Sequence, residues 1–253
     1  MRTTGNTILI TGGGSGIGLA AASLLASIGN EVLICGRRES TLEAAKREVP
    51  QLHTFACDVS VREDRERLVE WATSRFGTLN VLINNAGIQR ETDFSAGAPE
   101  LTDGESEIDT NFTASVHLAA LCIPRFLKLD TECAVVNVTS GLAFIPLRIV
   151  PVYCATKAAL HSFSMSLRSQ LERTNVRVFE IIPPLVRTEL HRGAQARKQA
   201  RGAILPSRVA KALVRAMEKE QYEVTVGQAR DLKIASRIAP HFFHRLLNKA
   251  VES

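Results

Sequence analysis

The sequence predicts a three-layer α/β fold in which a doubly wound, mainly parallel sheet of seven strands lies between helices in a single domain. Short apolar or β-branched runs alternate with longer helical patterns along the 253 residues, which is the order that parallel strands with right-handed crossovers require. A glycine-rich turn follows the first of these runs. Polar or charged residues follow several others, at the strand ends where sheets of this kind bind ligands.

The composition argues against several other classes of protein. With 45% hydrophobic and 23% charged residues, the chain is an ordinary globular one, and no apolar run approaches the roughly 20 residues of a membrane span. The run from Thr7 to Ile10 is too short for the core of a signal peptide. The net charge of +5 is spread along the chain and only 5% of the residues are aromatic, so we expect no nucleic-acid partner.

The cysteines indicate a reducing compartment. Their number is odd, their positions are scattered and they form no C-x-x-C pair, so we expect free thiols in a cytoplasmic protein and no metal site. Cys154 is interpreted as a packing residue, with a place in a pocket wall as the alternative. The five cysteines are Cys35, Cys57, Cys122, Cys133 and Cys154.

The first strand is predicted from Thr7 to Ile10, and the glycine turn joins it to a helix from Leu19 to Ile28. Strand, glycine turn and helix together aim backbone N–H groups and a helix N-terminus at a pyrophosphate. The spacing is G-x-x-x-G-x-G, and it is not that of a P-loop, since Leu19 stands where that motif needs lysine. The residues predicted to bind the cofactor here are Gly12, Ser15, Gly16, Ile17 and Gly18.

The second strand, from Glu31 to Ile34, ends where a dinucleotide-binding fold contacts the adenosine ribose. An acidic residue there would accept a hydrogen bond from the 2′-hydroxyl of NAD, whereas arginine would pair with the 2′-phosphate of NADP. Arg37 and Arg38 follow this strand, so NADP(H) is predicted in preference to NAD(H). The alternative is that both arginines form the solvated start of a helix, predicted from Ser40 to Val49.

The third strand, from His53 to Cys57, is followed by Asp58 and Val59, which are both assigned to the cofactor site. The Asp58 carboxylate has two roles open to it. It can reach the adenine amino group of a dinucleotide, or it can cap the helix predicted from Arg62 to Phe76.

The fourth strand, from Val81 to Ile83, ends in the sequence Asn84-Asn85-Ala86-Gly87. Small and amide-bearing residues at such an end can pack under a cofactor and join neighbouring strands, so Asn85, Ala86 and Gly87 are assigned to the cofactor site. The loop 88–104 is long enough to cover a site or a partner. The helix that follows, 105–128, carries Asn111 together with His117, which is interpreted as a packing or surface residue.

A tyrosine and a lysine four residues apart form the centre of the predicted active site. Tyr153 and Lys157 share one face of a helix predicted over 151–172, since four residues make about one turn. A phenol titrates near ~10, so proton transfer at neutral pH needs about 4 kcal/mol of phenolate stabilisation, much of which a nearby ammonium can supply. Ser140, after a fifth strand over 134–139, can donate a hydrogen bond to a substrate carbonyl. Taken alone, the Tyr/Lys spacing also fits an ordinary helix-surface pair.

The last third of the chain is predicted to determine specificity. A sixth strand over 176–182, a helix over 206–218 and a seventh strand over 223–226 complete the fold. The basic segment 191–202 is either a flap over the substrate or a solvated helix face.

We divide the chain into a dinucleotide-binding and catalytic domain, 1–229, and a helical tail, 230–253. Apolar residues recur every four positions in the tail, which predicts an amphipathic helix. We expect this stripe to dock on its own domain or on a second subunit, with membrane-surface contact as the less favoured alternative. The stripe consists of Ile234, Ile238, Phe242, Leu246 and Ala250.

Six of these motifs occur in the order of a known family. They are Thr11 to Gly18 (TGGGSGIG), Asp58, Asn84 to Gly87 (NNAG), Asn111, Ser140 and Tyr153 to Lys157 (YCATK). Together they resemble the single-domain short-chain dehydrogenase/reductase family over nearly the whole chain. The resemblance implies a Rossmann fold, a nicotinamide cofactor, and a homodimer or homotetramer paired through the helices at 105–128 and 151–172.

A closer likeness is carried by NNAGIQR (84–90), EIDTN (107–111) and SGLAFIP (140–146). These segments are similar to a bacterial subgroup named after an oxidoreductase encoded with the genes for D-alanine esterification of teichoic acid. That name records gene neighbourhood and gives no substrate.

The family resemblance also implies residue roles. In an Asn111-Ser140-Tyr153-Lys157 tetrad, Tyr153 is the general acid/base and Ser140 orients the carbonyl. Lys157 lowers the Tyr153 pKa and binds the nicotinamide ribose, so that both residues also belong to the cofactor site, and Asn111 supports a proton relay through water. Contact with the nicotinamide carboxamide is implied for the segment holding Pro183, Val186 and Thr188, in which Pro184 replaces the usual glycine.

The sequence therefore predicts an NADP-dependent oxidoreductase that interconverts a hydroxyl and a carbonyl on a small organic substrate. The alternative is an NADP-responsive binding or regulatory module with the same fold and little turnover, against which the intact tetrad argues. Arg90 or Arg148 is predicted to hold an anionic group of the substrate. An apolar pocket wall is suggested by Leu142, Phe144, Pro146, Val150 and Leu185.

Overall fold

One parallel sheet forms the centre of the molecule. The computed structural model describes residues 1–101, 106–190 and 202–252. Within them, seven strands pair in the order β3-β2-β1-β4-β5-β6-β7, and each neighbouring pair is parallel, which confirms the predicted fold class. The strands are β1 (Thr7–Thr11), β2 (Glu31–Gly36), β3 (His53–Ala56), β4 (Leu79–Asn84), β5 (Cys133–Val138), β6 (Val176–Ile182) and β7 (Glu223–Thr225).

Helices cover both faces of this sheet. They are α1 (Gly16–Ser27), α2 (Glu39–Glu48), α3 (Arg62–Arg75), α4 (Ala114–Phe126), α5 (Pro151–Leu171), α6 (Pro206–Glu218), α7 (Ala229–Ile238) and α8 (Pro240–Glu252). None of the helices in the described parts of the chain combines the length and apolarity needed to cross a bilayer.

The two faces of the sheet build separate hydrophobic cores. Successive side chains of a strand point to opposite faces, so Ile8 and Ile10 of β1 pack with α1, α2 and α6. Leu9, between them, packs with α3, α4 and α5 on the other side. The strand order reverses between β1 and β4, which places a crevice at the carboxyl edge next to the glycine turn.

The helix expected over 105–128 is interrupted where it carries Asn111. A π-helical turn, Asp109–Thr113, precedes α4. Such a turn inserts one residue into the helical ladder and is frequent at functional sites, but the sequence pattern here is compatible with an unbroken helix. Residues 102–105 lie outside the described part of the chain. The preceding loop contains two short 3₁₀ turns, Phe94–Ala96 and Pro99–Leu101.

The tail is not the single helix that its sequence predicts, and the apolar stripe does not dock on its own domain. Docking on a second subunit and contact with a membrane surface stay predictions. The tail is two helices, because Pro240 has no backbone N–H to continue α7. A four-residue spacing also advances by about 40° at each step of a 3.6-residue helix and so drifts around it. The stripe side chains point outward, with exposed fractions of 45% for Ile234, 74% for Ile238, 62% for Phe242 and 53% for Leu246.

Other residues attach the tail to the rest of the fold. Ala229 is buried, and Leu232 lies against Gly141, where an added Cβ would come within 2.9 Å of the leucine Cδ1. Asn248 of α8 is buried and accepts a hydrogen bond from the Arg148 N–H at 2.6 Å. These contacts join both tail helices to the segment that follows Ser140. The division of the chain at residue 230 stays a prediction.

The basic segment predicted at 191–202 falls almost wholly on residues 191–201, which are outside the described residues. The chain on either side of it is paired: Val186 and Ile204 form an isolated parallel bridge, in which Arg187 N–H donates to the Ile204 carbonyl at 2.9 Å.

Replacing Asn248 with alanine tests the attachment of α8. The substitution removes the acceptor of the Arg148 N–H and the donor to the Pro146 carbonyl at 3.1 Å. We expect a loss of about 1–3 kcal/mol in the free energy of unfolding and faster proteolysis within residues 240–252. Urea unfolding and limited proteolysis measure the two effects, with Lys249→Ala, an exposed neighbour on the same helix, as the control. Unchanged stability and cleavage would contradict the attachment.

Candidate active site

A cleft opens at the carboxyl edge of β1, β2, β3 and β4. Most of the residues predicted to bind a cofactor line it together, while Gly18, Tyr153, Lys157, Pro183 and Val186 do not. Predicted and present in the lining are Gly12, Ser15, Gly16, Ile17, Arg37, Arg38, Asp58, Val59, Asn85, Ala86, Gly87 and Thr188. Residues that the sequence reasoning missed are Gly14, Gly36, Thr41, Leu42, Cys57, Ile88, Thr110, Glu189 and Leu190.

The glycine turn allows two backbone segments to approach more closely than side chains would permit. A Cβ on Gly12, where φ is +64°, would come within 2.9 Å of the Ala86 Cα. A Cβ on Gly18 would come within 2.2 Å of the Gly12 carbonyl oxygen. Gly18 therefore allows α1 to pack closely against the backbone of the turn, although it does not line the cleft.

The start of α1 fits an anion. Its N-cap residue, Ser15, makes no side-chain bond to the first-turn N–H groups, and no acidic residue lies in that turn. A helix N-terminus of this kind attracts a phosphate through its N–H groups and the helix dipole. With the close-packed glycines, it forms a cradle that fits the pyrophosphate of a dinucleotide.

Thr11 anchors the end of β4 to the glycine turn, a role that no sequence motif indicated. Its hydroxyl accepts hydrogen bonds from the N–H groups of Asn85 and Ala86, each at 3.0 Å. The Asn85 side chain donates in return to the Thr11 carbonyl at 2.9 Å and the Gly12 carbonyl at 3.2 Å. These bonds join neighbouring strand ends, as the amide-rich sequence at 84–87 predicts.

The two arginines after β2 lie in the cleft with acidic neighbours. An Arg37 guanidinium nitrogen is 4.0 Å from an Asp58 carboxylate oxygen, and both side chains are about one third exposed. Arg38 pairs with Glu189 at 2.9 Å at the surface, and it occupies the N-cap position of α2.

Asp58 does not cap α3. The N-cap of that helix is Val61, three residues further along, and Asp58 accepts instead from the N–H and hydroxyl of Ser60, at 2.9 and 2.7 Å. These two bonds to Ser60 form a turn before the helix begins. The alternative prediction that Asp58 caps α3 is therefore wrong. The carboxylate remains in the lining of the cleft.

Ser140, Tyr153 and Lys157 meet beyond the end of β5. All three are buried. The Ser140 hydroxyl oxygen accepts from the Leu142 N–H at 3.1 Å, and the Ser140 side chain acts on Tyr153 by lowering its pKa. The Lys157 ammonium lies 5.7 Å from the centroid of the Tyr153 ring and donates to the Val138 carbonyl at 2.9 Å. Tyrosine and lysine are therefore neighbours on α5, as their spacing predicts.

Burial, more than the lysine charge, governs the acidity of these groups. It raises the pKa of Tyr153, while the hydrogen bond with Ser140 lowers it. It also lowers the pKa of Lys157 to about 8. The sequence predicts that the Lys157 ammonium lowers the pKa of Tyr153, whereas burial is the largest influence on both groups in the structure, because a charge out of water is disfavoured.

Asn111 fixes the loop that follows β4. Its side chain accepts from the Ile88 N–H at 2.8 Å and donates to the Ile88 carbonyl at 2.9 Å and the Thr156 hydroxyl at 3.0 Å. A Cβ on Gly87 would lie 3.3 Å from the Asn111 Oδ1 and 3.7 Å from the Lys157 Nζ. Gly87 thus leaves room between the amide and the ammonium.

Glu107 is a buried acid near Tyr153 that the sequence reasoning did not assign. One carboxylate oxygen accepts from the Arg90 N–H at 3.2 Å, and the other has no hydrogen-bond partner. Burial raises the pKa of Glu107, and its charge contributes to the raised pKa of Tyr153. Its position four residues before Asn111 was the only signal in the sequence.

The predicted apolar wall is only partly present around Tyr153. Tyr153, Val150 and Cys154 pack with Leu142, Leu147, Ile149 and Leu190. Cys154 accepts from the Leu147 N–H at 3.3 Å, as a packing residue would. Phe144 lies further along α5, where it packs edge-on to His161 with ring centroids 4.9 Å apart. His161 is one helical turn beyond Lys157 and two turns beyond Tyr153.

The segment after β6 turns back towards the glycine turn. The Pro183 carbonyl accepts from the Gly141 N–H at 2.9 Å, and Val186 is buried. Thr188 reaches the cleft, where its Cγ2 would be 2.9 Å from a Cβ on Gly16. The segment therefore links the Ser140 turn to the start of α1.

A family model described as short chain dehydrogenase matches residues 6–199. The chain belongs to the short chain dehydrogenase family. It is an NAD(P)-dependent short-chain dehydrogenase/reductase, and the predicted resemblance is confirmed. The family pattern includes the segment 191–199, which the structure does not describe.

A curated relative within this family covers most of the chain. The uncharacterized oxidoreductase DltE of Bacillus subtilis is 56% identical over 191 residues, which are 76% of this chain and 75% of the relative. This agrees with the likeness to a bacterial subgroup found in the sequence.

Solved structures of the family share the fold at low identity. A short chain dehydrogenase/reductase from Burkholderia phymatum in complex with NAD has a TM-score of 0.84 at 20% identity, over 98% of this chain and 96% of that one. A short chain dehydrogenase from Burkholderia cenocepacia in complex with NADP has a TM-score of 0.83 at 23% identity, over 98% and 99%. The two complexes hold different cofactors, so the fold alone does not select between NAD and NADP.

The buried lysine gives the stability of this family member a measurable pH dependence. Burial lowers the folded-state pKa of Lys157 from 10.5 to about 8, so between these values the unfolded chain binds a proton that the folded chain does not. The free energy of unfolding then rises with pH across this window. Compared with Lys157→Met, we expect the wild type to gain about 1–2 kcal/mol between roughly pH 7 and pH 9.5.

Urea unfolding at a series of pH values measures this difference. Lys46→Met, at an exposed position of α2, is the matched control and should run parallel to the wild type. If the free energy of unfolding of Lys157→Met changed with pH in parallel with that of the wild type, burial would not lower the pKa of Lys157.

Proposed function

We propose that this chain is an NADP(H)-preferring oxidoreductase that interconverts a hydroxyl and a carbonyl on a small organic substrate, with Tyr153 as general acid/base. The observation that carries the proposal is the meeting of Ser140, Tyr153 and Lys157 at the sheet edge that also holds the glycine cradle. Carbonyl reduction requires a hydride donor and a proton donor. A dinucleotide whose pyrophosphate is held in that cradle would supply the first, and Tyr153 would supply the second.

The glycine turn, the start of α1 and residues 85–87 would hold the dinucleotide. When bound, its reduced nicotinamide supplies a hydride to the substrate carbonyl carbon. Ser140 donates a hydrogen bond to the carbonyl oxygen, and Tyr153 transfers its proton to that oxygen as negative charge develops there. Lys157 and Ser140 then stabilise the phenolate, by charge and by hydrogen bonding.

The raised pKa of Tyr153 favours reduction at neutral pH. Burial keeps the phenol protonated, which is the form that gives up a proton to the substrate. Reduction activity should therefore persist through neutral pH and fall as the pH rises above the Lys157 pKa of about 8, where the ammonium that stabilises the phenolate is lost. The opposite reaction needs the phenolate and is favoured by alkaline pH.

The NADP preference rests on Arg37, which lies in the cleft at the end of β2. A guanidinium pairs with a phosphate in a fork of charge-assisted hydrogen bonds, whereas a ribose hydroxyl offers it little. Asp58, 4.0 Å from Arg37, orients the guanidinium without burying it.

We further propose a cytoplasmic homodimer or homotetramer with a small-molecule carbonyl or alcohol as substrate. Apolar side chains at the surface near α4 and on α5, Ile108 and Met165, are about half exposed, which suits the subunit pairing that the family resemblance implies. A regulatory module without turnover is the competing proposal, and NADPH binding without consumption would support it.

Removing the Tyr153 hydroxyl tests the mechanism. We expect Tyr153→Phe to lower kcat by roughly 10²–10⁴-fold, the range of general acid catalysis, while NADPH binding is retained. The measurement is NADPH consumption with a panel of aldehydes, ketones and quinones, together with NADPH fluorescence titration. Tyr222→Phe, which changes the second of the two tyrosines in the chain, is the control. Equal rates for Tyr153→Phe and wild type would refute the mechanism.

Removing the Arg37 side chain tests the cofactor preference. We expect Arg37→Ala to weaken NADPH binding by roughly 10–100-fold, since a charge-assisted contact is worth about 1.5–3 kcal/mol, and to change NADH binding by less than about threefold. Fluorescence titration with both cofactors measures this. Arg47→Ala, an exposed arginine of α2 paired with Glu43, should leave both unchanged. Tighter binding of NADH than NADPH by the wild type, unaffected by Arg37→Ala, would show that the preference is wrong.

A further inference from the structure

A fully buried carboxylate lies behind the proposed active site. Glu180 of β6 has no exposed surface. One of its oxygens accepts a hydrogen bond from the Thr139 hydroxyl at 2.7 Å. Thr139 directly precedes Ser140, so this acid is one residue removed from the proposed catalytic hydroxyl. A buried acid of this kind is costly unless it is paired, and neither the cofactor cleft nor the proposed proton transfer uses it.

The second partner of Glu180 comes from the helix that carries the tyrosine and lysine. His161 Nδ1 lies 3.0 and 2.9 Å from the two carboxylate oxygens. Tyr153, Lys157 and His161 follow one another at intervals of four residues and so lie along one side of α5. Through this one carboxylate, the strand end that carries Ser140 is connected to the helix that carries Tyr153.

The tail provides further charge near Glu180. Lys233 of α7 forms an ion pair with Glu223 of β7 and lies 5.7 Å from the centroid of the Phe144 ring, which packs edge-on to His161. The charge of Glu180 favours the protonated form of Lys233, although burial is the larger influence and lowers the pKa of Lys233.

The side chains around Glu180 do not favour a metal ion. The ligand atoms of His161, Glu180 and Glu223 all lie within 4.8 Å of one another, a spacing that a metal ion could use. The Lys233 ammonium, however, already pairs with Glu223, and Glu180 is satisfied by Thr139 and His161. The carboxylates of the cluster are therefore already partnered by side chains of the protein itself.

The turn around Ser140 is fixed on both sides by bonds to neighbouring elements. The Val138 carbonyl accepts from Lys157 at 2.9 Å, and Thr139 N–H donates to the Ile181 carbonyl at 2.9 Å. The Gly141 N–H donates to the Pro183 carbonyl, also at 2.9 Å. The bond from the Thr139 side chain to Glu180 adds a second connection to α5, through His161, beside the direct bond from Lys157.

We propose that Glu180, held by His161, is a positioning residue that fixes Thr139 and thereby sets the Ser140 hydroxyl against Tyr153. This role rests on the proposed function, since it matters for catalysis only if Ser140 orients a carbonyl. A displacement of about 1 Å at such a group can cost roughly 100-fold in rate. Glu180 does not touch the substrate or the cofactor and acts through the strand end alone.

Thr139 provides the test, because replacing Glu180 itself would leave His161 and Thr139 without their buried partner and endanger folding. Thr139→Val keeps the side-chain shape and deletes the hydroxyl, whereas Thr139→Ser keeps the hydroxyl. We expect Thr139→Val to lower kcat for carbonyl reduction by about 10–100-fold with the KM for NADPH within about twofold of wild type. Thr139→Ser should retain kcat within about threefold of wild type. Thr7→Val, which deletes a buried hydroxyl bonded to Thr78 at the far edge of the sheet, is the control.

A second readout does not depend on turnover. The Leu142 N–H donates to the Ser140 hydroxyl oxygen at 3.1 Å, so movement of Ser140 should speed hydrogen exchange of this amide. We expect faster exchange in the segment 140–144 of Thr139→Val, and exchange at the wild-type rate in Thr139→Ser and Thr7→Val. Hydrogen-exchange mass spectrometry of the full chain measures this.

The outcomes separate the two proposals. If Tyr153→Phe is inactive but Thr139→Val has wild-type kcat and exchange, the positioning role of Glu180 is wrong and the proposed function stands. If Tyr153→Phe is as active as wild type, the proposed function fails, and the positioning role fails with it. If the wild type turns over no member of the panel, exchange decides: an unchanged rate in Thr139→Val overturns the positioning role, and a faster rate supports it.

Discussion

The site depends on a buried positive charge that joins a helix to a strand. The Lys157 ammonium donates to the Val138 carbonyl at the end of β5, and this bond fixes how α5 lies against the strand end that carries Ser140. Placing an ammonium there is unfavourable, as its pKa of about 8 indicates. The fold retains it where a hydrophobic residue of similar length would pack at lower cost. Such a residue could neither anchor the strand end by hydrogen bonding nor stabilise a phenolate.

Polar bonds, rather than apolar packing, set the register of the elements around this lysine. The Asn84 side chain of β4 donates to the Asn137 side-chain oxygen Oδ1 at 2.9 Å, and the Asn137 side chain of β5 donates to the Ser164 hydroxyl of α5 at 2.8 Å. Asn111 holds the loop after β4 in the same way. Apolar contacts allow small sliding movements at little cost, whereas a buried hydrogen bond is lost when its partners shift. These bonds fix the relative positions of the strand ends, which the proposed proton transfer requires.

The fold and the cleft were predictable because their signals are local in the sequence. Strand runs, the glycine spacing and the four-residue interval between Tyr153 and Lys157 each depend on neighbouring residues. What could not be predicted depends on tertiary contacts. Nothing local shows that Phe144 turns towards His161, that Thr11 anchors the end of β4, or that the helix before α4 contains a π turn. The stripe does not dock on its own domain for the same reason, since the face of a helix that packs on the domain is decided by what lies opposite it.

The acidity of the phenol shows why a motif alone does not give a mechanism. The Tyr/Lys spacing suggests a tyrosine made acidic by a neighbouring charge, yet burial raises its pKa and lowers that of the lysine. The two shifts have one cause, because a low-dielectric site disfavours the phenolate and the ammonium alike. Proton transfer from Tyr153 to a substrate oxygen would turn a neutral phenol beside an isolated cation into an ion pair. Each charge then compensates the burial of the other. The site is therefore unfavourable for the phenolate or the ammonium alone and favourable for the two together. Both charges would be present only after the proton has left Tyr153.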